Sequence, residues 1–107
     1  MSAFRTFNGL EPYPIFEGVG LQAVGGDQVF LGRVRYEPGT TVKRHSHEHT
    51  EQIVLVLEGS LRMTIGDETR DMRAGDVCVV NRGVEHELVS DEGVTFIEAL
   101  APVPLDH

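Results

Sequence analysis

The chain has 107 residues, enough for one domain with one packed core and no need of disulfide staples. Its net charge of −8 excludes the counterion release that drives nucleic-acid binding and any attraction to anionic lipid. Cys78 is the sole cysteine, which excludes an internal disulfide and fits a reducing compartment.

No basic start is followed by an apolar run, and no apolar stretch approaches the ~20 residues that span a bilayer. The expectation is a soluble, cytoplasmic protein with no nucleic-acid or membrane partner. Twelve glycines and five prolines punctuate short runs rich in Val, Ile, Leu, Phe and Thr, with no sustained period of 3.6. That pattern predicts an all-β sandwich or barrel.

Residues 1–16 hold Phe4, Phe7, Tyr13, Ile15 and Phe16, with Pro12 and Pro14 preventing a regular helix. They read as an arm packed across a sheet, on this chain or on a partner. Val19 to Val24 and Gln28 to Glu37 read as strands joined by the turn Gly25-Gly26-Asp27. In the second of these, Phe30, Gly32, Val34 and Tyr36 share one face, and Leu31, Arg33 and Arg35 the other. Pro38-Gly39 turns into a strand over Thr41 to His47. Ile53 to Glu58 is apolar on both faces, as in a central strand.

Gly59-Ser60 reads as a turn, followed by strands over Leu61 to Ile65, Glu68 to Arg73, Val77 to Val80, Val84 to Val89 and Val94 to Leu100. Cys78, within one of them, reads as a small buried hydrophobe.

Three of the five histidines, His45, His47 and His49, fall within five positions. Side chains alternate along a strand, so all three have the parity to share a face. Imidazole is a common ligand for first-row divalent metals, while a polar, solvated loop fits the same spacing. His86 lies on one face with Val84 and Leu88, where a histidine is more often a satisfied core residue than a ligand. In the last strand Glu98 shares a face with Val94, Phe96 and Leu100. That face is either the outer surface, with Arg33 or Arg35 as partner, or the interior, where a carboxylate needs a partner.

The spacing around these residues has a precedent. Gly39 lies six residues before His45. Then come His47, Glu51, Gln52 and Gly59, and a second block of Gly75, Asn81, Gly83 and His86. This resembles the paired motifs of the cupin superfamily, Gly-x5-His-x-His-x(3 or 4)-Glu-x6-Gly and Gly-x5-Pro-x-Gly-x2-His-x3-Asn. The match covers residues 39–90, about half the chain. There are three departures. Asn81 stands for the proline, which loosens that turn. Ser90 stands for the closing asparagine. The glutamate position falls on Glu51 counted from His47 and on Gln52 counted from Gly59. The register runs unbroken from Gly59, so Gln52 is the expected match.

The resemblance implies a single cupin domain over residues 1–107, a double-stranded β-helix or jelly-roll barrel. It also implies one divalent metal (Mn, Fe, Co, Ni, Cu or Zn) in the barrel mouth, held by His45, His47, Gln52 and His86. His49 then drops to the rim, and His107 at the terminus carries no role. A neutral Gln52 would leave the ion its full charge and make it the stronger Lewis acid. The chain also resembles small cupins of pectin breakdown that open unsaturated uronates. These carry an acidic residue at the place of Glu98, implying a catalytic acid/base, and an arginine in the tail. Here that arginine position lies near Pro104, and no arginine follows Arg82.

The function expected is metal-dependent chemistry on a small polar metabolite: isomerisation, ring opening or lyase reaction. An Fe-dependent dioxygenase and a non-catalytic ligand-binding or sensing cupin are the alternatives. A homodimer is expected from the aromatic arm.

Overall fold

A computed structural model describes residues 2–104. The alternating runs form nine antiparallel strands among these residues, and no helix there is long and apolar enough to cross a membrane. The strands are β1 (Tyr13–Phe16), β2 (Val19–Gly25), β3 (Phe30–Tyr36), β4 (Thr40–His45), β5 (Glu51–Ile65), β6 (Glu68–Arg73), β7 (Val77–Val80), β8 (His86–Ser90) and β9 (Val94–Ala101). They build two sheets that form a nearly closed barrel. One runs β1-β2-β3-β9-β5-β7, the other β4-β8-β5-β6.

β5 belongs to both sheets. Its first part, from Glu51 to Gly59, pairs with β9 and β7. Its second part, from Ser60 to Ile65, pairs with β6 and β8. The turn expected at Gly59-Ser60 is therefore a corner inside one strand of 15 residues. The register slips between Val56 and Glu58, and Gly59 takes a φ of 82°. A Cβ at Gly59 would stand 2.2 Å from the Gly93 carbonyl oxygen, so only glycine fits this crossing. The slip also changes parity. Gln52, Val54 and Val56 point inward before it, and Leu61 and Met63 after it.

The core lies between the sheets, around Val54, Val56, Leu61, Met63, Phe96 and Leu100, each at most 2% exposed. Tyr36 packs edge-on against Phe96, with ring centroids 5.3 Å apart. The expected inner face of β3 is observed, with Gly32, Val34 and Tyr36 buried. β5 is central in its sheet, but its outer face is open: Ile53 and Leu57 are exposed, as are Val77 and Val79 beside them.

The arm adds β1 to the edge of the first sheet of its own chain. Before β1 the arm is held by the Gln22 amide, which donates to the Phe7 and Leu10 carbonyls. Arg33 lies over the Phe7 ring, 5.3 Å from its centroid. His107 lies outside the described residues.

Candidate metal centre

The histidine end of β4 is built by a bulge. Thr40 and Val42 point inward, as their even positions dictate. The register against β8 then slips between Val42 and His45. Lys43 and Arg44 are both turned outward, and the inward set passes to odd positions. An unbroken strand would have aimed His45 away from Val42's side. Arg44 is secured outside by Glu85, at 2.6 Å, and by the Gly66 carbonyl, at 2.9 Å.

His45 sits directly across the ladder from His86. His47 follows the end of β4, and its carbonyl accepts the Gly83 N–H at 2.9 Å, tying it to the turn before β8. The three rings converge, with centroid separations of 5.1 Å (His45–His47), 4.3 Å (His45–His86) and 5.3 Å (His47–His86). One ligand atom from each lies within 4.8 Å of the others.

Two of the rings have their tautomers set. His45 Nδ1–H donates to the Lys43 carbonyl at 2.7 Å, and His86 Nδ1–H to the Val84 carbonyl at 3.0 Å. A carbonyl can only accept, so Nδ1 carries the proton and Nε2 keeps its lone pair in each neutral ring. His86 is fully buried, and its Nε2 has no hydrogen-bond partner among the described residues. Burial pushes its pKa down to about 4, the Val84 carbonyl opposes this, and the potentials of His45 and His47 reinforce it. The ring is therefore neutral at physiological pH, the form a metal requires.

Gln52 faces the interior and Glu51 is exposed. In the β5·β9 register Gln52 lies opposite the buried Leu100, and Glu51 opposite Ala101. The Gln52 Nε2–H donates to Glu98 Oε1 at 2.9 Å. Its Oε1 is buried and has no hydrogen-bond partner among the described residues. Buried polar atoms are rarely left this way, and such an exception asks for an explanation. His86 Nε2 and Gln52 Oε1 are a borderline nitrogen and a hard oxygen donor, which a first-row divalent ion accepts together, so the residues present fit such an ion.

Glu98 is 3% exposed and on the inner face, so the outer-surface placement with Arg33 or Arg35 is not what occurs. Arg33 instead donates to Gln22 Oε1 at 2.9 Å. Room for the carboxylate comes from β3: Gly32 is the ladder partner of Glu98, and a Cβ there would stand 3.2 Å from Glu98 Cγ and 2.8 Å from Leu21 Cδ1.

His45, His47, Gln52 and Glu98 line one cavity of about 870 Å³, together with Tyr36. Burial, and then the charge of Glu98, hold the Tyr36 phenol above its ordinary range, so it stays protonated. His49 is exposed and does not line this cavity. Sequence reasoning missed the arm's part in the wall: Ile15, Phe16 and Glu17 all contribute to it. The alternation of Tyr13, Ile15 and their neighbours between prolines was the available signal.

Comparison with known proteins bears on the family and the fold. The family model described as "Cupin domain" matches residues 32–99. The tetracenomycin polyketide synthase protein TcmJ of Streptomyces glaucescens is 30% identical over 77% of this chain and 58% of its own. The pectin degradation protein KdgF of Dickeya dadantii is 28% identical over 75% of this chain and 74% of its own. The chain spans little more than half the length of the polyketide relatives it matches. Among solved structures, KdgF from Halomonas sp. superposes with a TM-score of 0.91 at 21% identity, covering 99% of this chain and 98% of its own, which speaks to the fold. The match over residues 32–99 spans well over half of the sequence, and the chain belongs to the cupin family.

Proposed function

We propose that this cupin is a metal-dependent enzyme acting on a small molecule that carries a carbonyl or hydroxyl group. The reaction class is isomerisation, ring opening or lyase chemistry. His45, His47, His86 and the Gln52 amide oxygen would hold one divalent transition metal. The observation that carries this reading is the pair of buried, unpartnered ligand atoms, His86 Nε2 and Gln52 Oε1, in a cluster whose three imidazoles already converge. A bound ion at this place supplies Lewis acidity to an oxygen of the substrate.

The chain's own residues divide the remaining work. Among the described residues Glu98 is the one carboxylate buried on the cavity's inner wall, and it takes the role of proton shuttle, accepting a proton from one substrate position and returning it at another. The Tyr36 phenol keeps its proton and donates a hydrogen bond to a substrate oxygen. The relatives named for polyketide synthesis and for pectin degradation support a small-molecule substrate. The position of the tail arginine of uronate-opening cupins falls near Pro104 here, which argues against a uronate.

The test is elemental analysis of protein purified without a metal column, followed by turnover assays with each metal restored. Stoichiometric metal, lost in His86→Ala, is expected. Oxygen uptake dependent on Fe would replace this reading with a dioxygenase, and ligand binding without turnover under any metal would replace it with a binding protein. Self-association is proposed with it, through the outer face of the first sheet, where Leu31, Ile53, Leu57, Val77 and Val79 are exposed. Light scattering showing a monomer at micromolar concentration would remove that part.

A further inference from the structure

The cavity has two chemically different ends. Its polar end holds His45, His47, Gln52 and Glu98. From there it runs along β4, every residue from Thr40 to His47 contributing to its lining. Five strand steps from Thr40 to His45 make this roughly 16 Å at ~3.3 Å per residue. Thr40 lines the far end, with its hydroxyl donating to the Glu37 carbonyl at 2.6 Å and standing 3.5 Å from the Gly18 carbonyl.

The walls between are apolar. Val19, Val34, Val42 and Leu88 are buried side chains that line it, and Ile15 of the arm completes that stretch. A sugar laid against Val19, Val34, Val42 and Leu88 would lose the hydration of the hydroxyls that face them. The charges are also arranged against an anionic body. Lys43 and Arg44, which border the cavity at the bulge, turn their side chains outward, and Arg44 is already paired with Glu85. Glu17 and Glu37 line the same rim, and the buried charge at depth is the carboxylate of Glu98.

We infer that the ligand of this site is a neutral, elongated molecule with a carbonyl or hydroxyl at one end and a hydrocarbon body. Its single polar end meets the imidazole and Glu98 end, and its hydrocarbon body lies between Ile15, Val34, Val42 and Leu88. This ligand class builds on the reading proposed above, in which the reacting oxygen sits at the imidazole end. It sharpens the expected small polar metabolite to one that is polar at one end only.

The probes are 2-naphthol and D-galacturonate, titrated calorimetrically into the full chain, once loaded with Zn and once treated with chelator. 2-Naphthol is expected to bind at least tenfold more tightly than galacturonate in the loaded protein. Amide shifts on adding 2-naphthol are expected at Ile15, Val34 and Val42. Ile15→Asp is expected to raise the 2-naphthol Kd about tenfold, and Val79→Asp on the outer face to leave it unchanged. Galacturonate binding as tightly as 2-naphthol overturns the inference. So do shifts confined to Ile53, Val77 and Val79, which would mean that the exposed outer patch is the binding site. Failure of the metal reading shows separately: a chain that retains no metal yet binds 2-naphthol in the cavity overturns that reading and keeps this one. A chain that holds metal and ignores 2-naphthol does the reverse.

Discussion

The Gln52 amide donates to the Glu98 carboxylate at 2.9 Å, from diagonal positions on the inner face of the β5·β9 pair. A carboxylate accepts and does not donate. It therefore turns the NH2 of the amide toward itself and leaves Oε1 as the end that is free to bind a cation. The proposed function thus assigns Glu98 two roles, to move protons and to orient a ligand.

Glu98→Gln should separate them. General acid/base assistance is worth roughly 10²–10⁴ in rate, so turnover on an identified substrate should fall by at least about a hundredfold. Metal affinity, read by competition with a chelator, should fall by about tenfold, as for loss of an orienting partner behind a ligand. Unchanged turnover would remove Glu98 from the mechanism.

His86→Leu should show a trade between stability and binding. The buried Nε2 lacks a partner, so the metal-free wild type bears its desolvation without compensation. The metal-free variant should melt close to wild type, because loss of the Nδ1–H bond to the Val84 carbonyl offsets the relief at Nε2, while metal uptake drops by more than a hundredfold. A loss above about 1.5 kcal/mol, more than the one Nδ1–H bond to the Val84 carbonyl is worth, would mean that Nε2 has a partner in solution.

The metal-free protein should lose stability on acidification through the same residue. Native His86 resists protonation until about pH 4, because it is buried. The unfolded chain takes up that proton near the ordinary histidine value of ~6.5. Between those values the unfolded state binds more protons, so stability rises with pH. The contribution is full above about pH 6.5 and lost on descent toward 4, on the order of 3 kcal/mol in total. Urea midpoints measured across that window should show this slope in wild type and a shallower one in His86→Leu.

Gly59→Ala tests the corner of β5. The added Cβ would stand 2.2 Å from the Gly93 carbonyl oxygen, on a residue whose φ is 82°. A loss of at least about 2 kcal/mol is expected, from strain and from displacement of the β9 end. Chemical denaturation would measure it. A loss below about 0.5 kcal/mol would show that the two halves of β5 need no glycine between them.

Gly32→Ala should act on the site from the opposite strand. Its Cβ would meet Leu21 Cδ1 at 2.8 Å and Glu98 Cγ at 3.2 Å. Shifting Glu98 disturbs the Gln52 bond, so metal affinity should fall along with a modest loss of stability. Unchanged affinity by chelator competition would mean that Leu21 alone yields.

The sequence by itself determined the all-β class, most strand positions and the residues of the imidazole cluster. Glycine and proline punctuation, period-2 alternation and the paired His-x-His and Gly-x2-His blocks are local signals, readable one segment at a time. Only the tertiary structure decided where parity changes. The bulge at Lys43-Arg44 lets His45 join the inward set, and the corner at Gly59 carries β5 from one sheet into the other. Each inserts one step into an alternation whose phase cannot be read without the partner strand. The same holds for Glu98. Its alternation with Phe96 and Leu100 gave it a face, but either side of the sheet fitted until β3 and β5 were placed around it. A sheet has two faces, and only packing against the second sheet determines which of them is inside.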